Sequence, residues 1–216
     1  AKTKRRLMAA ESASSVQSGR SPSASAIADG SSFSYFNVHI PVLLVKDPMP
    51  AFPVLFVCLG NICRSPLAEG IFRHLTTGIG VQDRFPADSA GTGGWHNGHP
   101  PDSRSVQVAR EHGIDIAALR ARRIEPADFD RFSLILAMDH SNLRHLHAMA
   151  PAGSPATVKL FGSFALGSDV DVPDPYYGKI DDFRAVYSML FAGCSSIVEK
   201  LDAERASWRG NTSSVR

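Results

Sequence analysis

The sequence predicts a single α/β domain built on an open parallel sheet of about four strands, with helices on both faces. Apolar segments of strand length alternate along the chain with longer segments in which apolar residues recur every three or four positions. A helix is predicted between successive strands, and such crossovers are what parallel pairing requires. In this class of fold a binding site is expected at the carboxyl ends of the strands.

Four short segments have the composition of strands. The first, residues 54–57, is a run of apolar, β-branched and aromatic residues that is typical of a buried strand. The others are predicted at residues 85–89, 133–138 and 157–160. We expect all four to pair in one sheet.

The predicted helices begin at recognisable start signals. Ser65 and Pro66 predict a helix start after the first strand, because Ser caps helices and Pro is accepted at the first helical position. Two further helices are predicted at residues 102–111 and 140–149, and the longest apolar face spans residues 183–201. We expect this last helix to pack on the sheet.

Length and composition predict one domain with appendages. With 216 residues, 44% of them hydrophobic, the chain can bury a complete core. We predict a domain at residues 51–205, an N-terminal extension of residues 1–50 and a C-terminal tail of residues 206–216. The net charge of +2, without any basic stretch interleaved with aromatic rings, argues against a nucleic-acid partner. A monomer or weak homo-oligomer is expected.

The N-terminal extension differs in composition from the rest. Residues 1–34 contain ten serines, five basic residues and two acidic residues, which cannot form a core and are typical of an organelle transit peptide. A plastid location is therefore predicted. A plain disordered tail on a cytoplasmic protein, or an over-extended gene model, remains an alternative. The apolar patch at residues 40–45 is far shorter than the ~20 residues that span a bilayer, so no membrane anchor is expected.

A distinctive loop follows the first strand. Residues 57–66 read Val-Cys-Leu-Gly-Asn-Ile-Cys-Arg-Ser-Pro. A strand-to-helix turn aims backbone N–H groups and the positive end of a helix dipole at one point, which suits a tetrahedral oxyanion. Gly60 permits close backbone approach, and Asn61 tolerates a left-handed conformation. We therefore predict a phosphate-binding loop after strand 1, with contacts from Leu59, Gly60, Asn61, Ile62, Cys63 and Ser65.

The same loop carries the candidate nucleophile. Cys58 lies among the loop amides, the helix N-terminus and Arg64, and these groups favour a thiolate. Arg64 offers a planar fork that can hold two phosphate oxygens. Ser65 can donate a hydrogen bond to the sulfur. The alternative is an ordinary buried Cys at a strand end beside a surface Arg.

A second motif offers the acid that a departing alkoxide or phenolate needs. Residues 172–178 read Val-Pro-Asp-Pro-Tyr-Tyr-Gly, in which two prolines stiffen a loop around Asp174. Taken alone, this segment is a Pro-rich surface turn. Asp169, Asp171 and Asp181 lack the flanking prolines and rings.

Together the two motifs resemble those of low-molecular-weight protein tyrosine phosphatases, and the resemblance covers most of residues 54–201. The pattern at residues 172–178 looks closer to bacterial and plant members of that family. The resemblance implies that Asp174 is the general acid and that Tyr176 and Tyr177 line the pocket. It also implies that Trp95 is an aromatic rim residue. The activity implied is hydrolysis of phosphotyrosine in proteins through a phosphocysteine, with no metal or cofactor.

The resemblance also implies supporting residues. Ser89 lies in the Asp-Ser-Ala-Gly segment that the family shares, and Asp139 falls where the family has an Asp that positions the loop arginine. Animal members often have a His that braces the loop Asn, near the position of Ala118 and Leu119. This chain has no His there, so the resemblance does not say what braces Asn61.

Three other functions remain open. Phosphoarginine phosphatases use the same scaffold, but the resemblance implies a phosphate loop with Thr at the position of Ile62. Arsenate reductases need resolving cysteines on a flexible segment, whereas Cys194 lies on the apolar face of the last predicted helix. A non-catalytic phosphopeptide-binding module would be expected to lack Cys58 or Asp174.

The remaining cysteine and histidine residues suggest less. Cys63 is expected to capture an oxidised Cys58 in a disulfide, or else merely to pack under the loop. Two histidines near Trp95, His96 and His99, are expected to be solvated rim residues and not metal ligands.

Overall fold

The computed structural model describes residues 50–212, with side chains described as far as residue 203. The predictions of disorder and targeting for the N-terminal extension lie outside these residues, as does the very end of the predicted tail. Residues 206–212 of that tail continue the last helix, which reaches Thr212. Within residues 50–212, no helix is long and apolar enough to cross a membrane.

The sheet has four parallel strands, as predicted. They are β1 (Val54–Cys58), β2 (Ala87–Gly91), β3 (Leu134–Ala137) and β4 (Thr157–Leu160), in the spatial order β2-β1-β3-β4. All three pairings are parallel, with Val54 opposite both Ala87 and Leu134. β2 begins two residues later than expected. Phe85 lies before the strand, in the turn region, although its side chain is buried like that of a strand residue.

The helices are α1 (Arg64–Gly78), α2 (Ser103–Glu111), α3 (Asp128–Arg131), α4 (His140–Met149) and α5 (Ile180–Thr212), with a π-helical segment at Gly162–Leu166. α2 and α4 are capped by Asp102 and Asp139, whose side chains accept hydrogen bonds from the backbone N–H groups of Arg104 and Asn142. α3 and the π-helical segment were not predicted, because four or five residues are too few to show a helical period. The prediction that Ser65 caps α1 was wrong, since the helix begins at Arg64 and its cap residue makes no side-chain hydrogen bond.

Hydrophobic clusters cover both faces of the sheet. Val54, Phe56 and Cys58 face a cluster that includes residues of α1, α2 and α5, whereas Leu55 and Val57 face a smaller cluster with α3 and α4. This alternation follows from the period of two along a strand. Because β1 is central, its carboxyl end and the start of α1 lie at the middle of one edge of the sheet, and Cys58 is the last residue of that strand.

Candidate active site

The phosphate loop, residues 58–65, joins β1 to α1. Its first two carbonyl groups hydrogen-bond to the segment that follows β2. The carbonyls of Cys58 and Leu59 accept hydrogen bonds from the backbone N–H groups of Thr92 and Gly93, at 2.9 and 2.8 Å. A carbonyl and the N–H of the following residue point in opposite directions across a trans peptide. The N–H groups of Leu59 and Gly60 therefore point to the concave side of the loop, where an anion would bind.

Two residues allow the tight curvature of this loop. Asn61 has φ of 56°, the left-handed conformation that the sequence predicted for it. Gly91, at the end of β2, lies so close that a Cβ there would be 2.9 Å from the carbonyl oxygen of Leu59. Any side chain at residue 91 would displace the loop.

The sulfur of Cys58 receives two polar contacts. The backbone N–H of Asn61 donates to Sγ at 3.3 Å, and the Ser65 hydroxyl oxygen lies 3.0 Å from the same atom. Cys58 is only 3% exposed. These two contacts hold the sulfur of the candidate nucleophile in place.

The guanidinium of Arg64 is buried and lies among carboxylates. Nη1 donates to Asp139 at 2.7 Å and to the Val172 carbonyl at 3.0 Å, while Nη2 donates to Asp174 at 2.8 Å. Burial opposes the charge, but the nearby Cys58 and Asp174 outweigh it and raise the pKa of Arg64. Nε is buried without a hydrogen-bond partner among the described residues. One donor of the fork is thus available for a phosphate oxygen.

Asp174 lies on a loop at residues 172–178, which we call the acid loop. Its side chain is 41% exposed, and Oδ1 accepts a hydrogen bond from the backbone N–H of Tyr176 at 3.1 Å. Arg104 on α2 clamps this acid loop by donating to the carbonyls of Tyr176 and Gly178, both at 2.9 Å. Asp102 holds Arg104 in turn, through an ion pair of 2.7 Å.

A pocket of about 400 Å³ gathers most of the predicted residues. It is lined by Cys58, Leu59, Gly60, Ile62, Cys63, Arg64, Trp95, His96, Asp174, Tyr176 and Tyr177. The aromatic walls stand in solvent, with Trp95 64% and Tyr177 98% exposed. His96, expected only at the solvated rim, is half-buried and leans over the phosphate loop, since its Cδ2 is 3.0 Å from where a Cβ on Gly60 would be.

Asn61 and Ser65, predicted to bind substrate, are not in that lining. The Asn61 side-chain N–H group donates to the hydroxyl oxygens of Ser65 and Ser89, each at 2.9 Å. The side-chain oxygen of Asn61 accepts from the backbone N–H of Arg122 at 2.9 Å. These bonds brace the loop where Ala118 and Leu119 offer no His.

Glu69 completes the brace and was missed from the sequence. The Ser89 hydroxyl donates to its carboxylate at 2.6 Å, and burial raises the pKa of Glu69 to about 7. Arg73 pairs with the same carboxylate at 2.7 Å. The available signal was a charged residue on the otherwise apolar face of α1. Arg104 gave no such signal, because the two carbonyls that it clamps are more than 70 positions away.

The other two cysteines are buried thiols. Cys63 lines the pocket beside Cys58, and burial, helped by Asp102, raises its pKa. Capture of an oxidised Cys58 by Cys63 stays a prediction. Cys194 is fully buried on α5, where the sequence expected a core residue, and burial raises its pKa as well.

The chain is similar to one family of known proteins. A protein-family model described as low molecular weight phosphotyrosine protein phosphatase matches residues 53–207. The chain is 49% identical over 139 residues to the protein of that name from Schizosaccharomyces pombe, covering 63% of this chain and 88% of the relative. It is 41% identical over 153 residues to the low molecular weight protein-tyrosine-phosphatase YfkJ of Bacillus subtilis, covering 70% and 97%.

Solved structures show the same similarity. The crystal structure of YfkJ from Bacillus subtilis gives a TM-score of 0.67 at 40% identity, covering 73% of this chain and 98% of that one. The crystal structure of a drosophila arginine phosphatase gives a TM-score of 0.64 at 36% identity, covering 68% and 96%.

Proposed function

The chain belongs to the low molecular weight phosphotyrosine protein phosphatase family, and from that premise we propose a role for each residue of its pocket. It is a cysteine-dependent protein tyrosine phosphatase. We assign Cys58 as the nucleophile, Arg64 as the phosphate ligand and Asp174 as the general acid and base. The observation that carries this proposal is the meeting of these three residues in one pocket.

Phosphate binding uses the loop amides and the free edge of Arg64. A phosphate on the concave side of the loop would receive the inward N–H groups together with Nε of Arg64. Nη1 of Arg64 stays with Asp139, which holds the plane of the guanidinium. Nη2 then has to serve either the phosphate or Asp174.

The reaction proceeds in two steps. In the first, Sγ of Cys58 attacks phosphorus while Asp174 gives its proton to the leaving phenolic oxygen, which breaks the P–O bond and forms a phosphocysteine. In the second, Asp174 takes a proton from water, which attacks phosphorus and releases phosphate from sulfur. Loop amides and Arg64 stabilise the charge in both steps.

Selectivity for phosphotyrosine follows from the walls of the pocket. Trp95, Tyr176 and Tyr177 all line it, and the two tyrosine rings pack edge to face with centroids 5.0 Å apart. A long flat side chain can reach Cys58 between these rings, whereas phosphoserine is too short. Phosphotyrosine-containing proteins are therefore the proposed substrates.

Phosphoarginine is the second candidate substrate, because one structural relative is an arginine phosphatase. Ile62 lies in the pocket lining, at the position where the family resemblance implies Thr for that activity. The test is to compare kcat/KM of the full chain for peptides of one sequence that carry phosphotyrosine, phosphoserine or phosphoarginine. Phosphotyrosine should be favoured by at least about tenfold, and a higher value for phosphoarginine would overturn the assignment.

We also propose that residues 1–50 carry a plastid address, with the cytoplasm as the alternative. The support is compositional: these residues are rich in Ser and poor in acidic residues. A fusion of residues 1–50 to a fluorescent protein should enter plastids in plant cells. A purely cytosolic signal would reject the proposal.

A further inference from the structure

One side of the pocket is bordered by two segments without any acidic residue. Residues 92–101 carry Trp95 and two histidines, and residues 116–124 carry three arginines. The two segments are joined by backbone hydrogen bonds from Gly98 to Ala121 and from Ala121 to His99, at 2.8 and 2.9 Å. They therefore form one continuous surface, which we call the basic rim.

The three arginines of the basic rim differ in their partners. Arg122 pairs with Asp88 and Asp128, each at 2.9 Å. Arg120 is exposed and donates only to carbonyls of its own segment. Arg123 is exposed, and among the described residues its guanidinium has no carboxylate partner. Two of the three positive charges are thus available to an anion from outside.

Arg123 lies next to the wall of the pocket. Its Cδ is 3.4 Å from where a Cβ on Gly94 would be, so its side chain runs along the loop that carries Trp95 and His96. The preceding residue, Arg122, bonds to Asn61 of the phosphate loop through its backbone N–H. Arg123 therefore packs beside the loop that carries Trp95 and His96, just outside the residues that line the pocket.

The segment that carries Asp174 has a different balance of charge. Residues 171–182 contain four aspartates, including Asp174, and a single basic residue, Lys179. Two of these aspartates are already paired, Asp174 with Arg64 and Asp181 with Arg184, so the unpaired charge beside Trp95 is positive. The difference in charge favours one class of segment and one orientation of it.

We propose that the enzyme selects phosphotyrosine segments with acidic side chains beside the phosphotyrosine, which Arg123 and Arg120 receive. This inference rests on the proposed function of the pocket. An extended peptide advances about 3.3–3.6 Å per residue, so residues one to three positions from the phosphotyrosine lie within roughly 10 Å of it, a range over which exposed charges still interact. The attraction is between exposed charges, so it is modest and screened by salt.

The test uses the full chain and three phosphotyrosine peptides of equal length whose neighbouring residues are Glu, Gln or Lys. At low salt, kcat/KM should fall about tenfold from the Glu peptide to the Lys peptide, with the Gln peptide between them. At roughly 0.5 M salt the differences should shrink. Equal values for the three peptides would overturn the proposal, whereas no turnover of the Gln peptide would instead reject the phosphotyrosine assignment.

Variants then assign the preference to Arg123. Arg123→Gln should flatten the series, and Arg123→Glu should reverse it; the measured quantity is the ratio of kcat/KM between the Glu and Lys peptides, because the altered charge also acts on the phosphate of every peptide. Arg110→Glu is the matched control, because this substitution makes the same change in net charge. Arg110 is exposed on α2, about 12 Å along the helix from Asp102. An equal effect of Arg110→Glu would show that only total charge matters and would refute the basic rim.

Discussion

The two loops that make the active site are built in opposite ways. On the phosphate loop the nucleophile and its polar neighbours are enclosed, with Cys58 3%, Arg64 2% and Ser65 0% exposed. On the acid loop, the Asp174 side chain is 41% exposed and Tyr177 is 98% exposed. The nucleophile is therefore part of the core, whereas the acid is part of the surface.

The difference teaches how each group is controlled. Cys58 is positioned by a network of short local bonds that extends through Asn61 into Ser89 and Glu69. Asp174 depends on Arg64, and on the clamp of Arg104 further along its loop. Since a phosphate oxygen competes for the same guanidinium, substrate binding itself should free Asp174 to turn toward the leaving oxygen.

Replacing the nucleophile should have the largest effect. Cys58→Ser should abolish turnover of an aryl phosphate, because a hydroxyl is a far weaker nucleophile than a thiolate. Vanadate should still bind, since the loop amides and Arg64 remain. Cys194→Ala, a change in the core of the same chain, should stay active. Measurable turnover by Cys58→Ser would show that the enclosed loop does not hold the nucleophile.

Replacing the acid should have a smaller effect that depends on the leaving group. Asp174→Asn should lower kcat by roughly 10²-fold for phenyl phosphate and much less for 4-nitrophenyl phosphate, whose leaving group needs little protonation. A series of substituted aryl phosphates measures the dependence. An equal loss across the series would mean that Asp174 only positions Arg64.

Loosening the acid loop should come next. Arg104→Gln removes the donors to the carbonyls of Tyr176 and Gly178, so kcat should fall about tenfold for poor leaving groups while binding of vanadate is nearly unchanged. Arg110→Gln, on the same helix, is the control. If Arg104→Gln weakened vanadate binding as much as it lowered kcat, the two loops would not be separately controlled.

The smallest effect concerns stability and involves Glu69, a residue of α1 that braces the phosphate loop. The pKa of Glu69 is about 7 in the folded protein, whereas the ordinary value for a glutamate is 4.5. Burial raises the pKa because it favours the neutral form. The folded state thus holds a proton that the unfolded state has lost, so stability falls as pH rises from about 5 to 8. Against Glu69→Gln, the melting temperature of the wild type should drop by on the order of 5 °C over this range.

Thermal unfolding measured from pH 5 to 8 checks this expectation. Glu199→Gln, an exposed change on α5, should follow the wild type at every pH. A constant difference between the wild type and Glu69→Gln would show that Glu69 does not titrate in this range.

The same division explains what the sequence could predict. The phosphate loop is contiguous, so the positions of Cys58, Asn61 and Arg64 follow from ten residues of sequence. The sheet and most helices follow from apolar periodicity. Arg104 could not be found this way, because its contacts join α2 to a loop far along the chain. The start of α1 was misjudged because the Ser65 hydroxyl serves the sulfur of Cys58 and not the helix end.

The aromatic walls have a consequence for how this enzyme can diverge. Trp95 and Tyr177 project from loops into solvent, and neither belongs to the hydrophobic clusters on the sheet. Mutations at these two positions therefore carry little penalty in folding and leave the sulfur and its donors untouched. Duplicated copies of such a gene could drift toward new phosphorylated partners by exchanging the walls alone, while the inherited reaction chemistry stays intact.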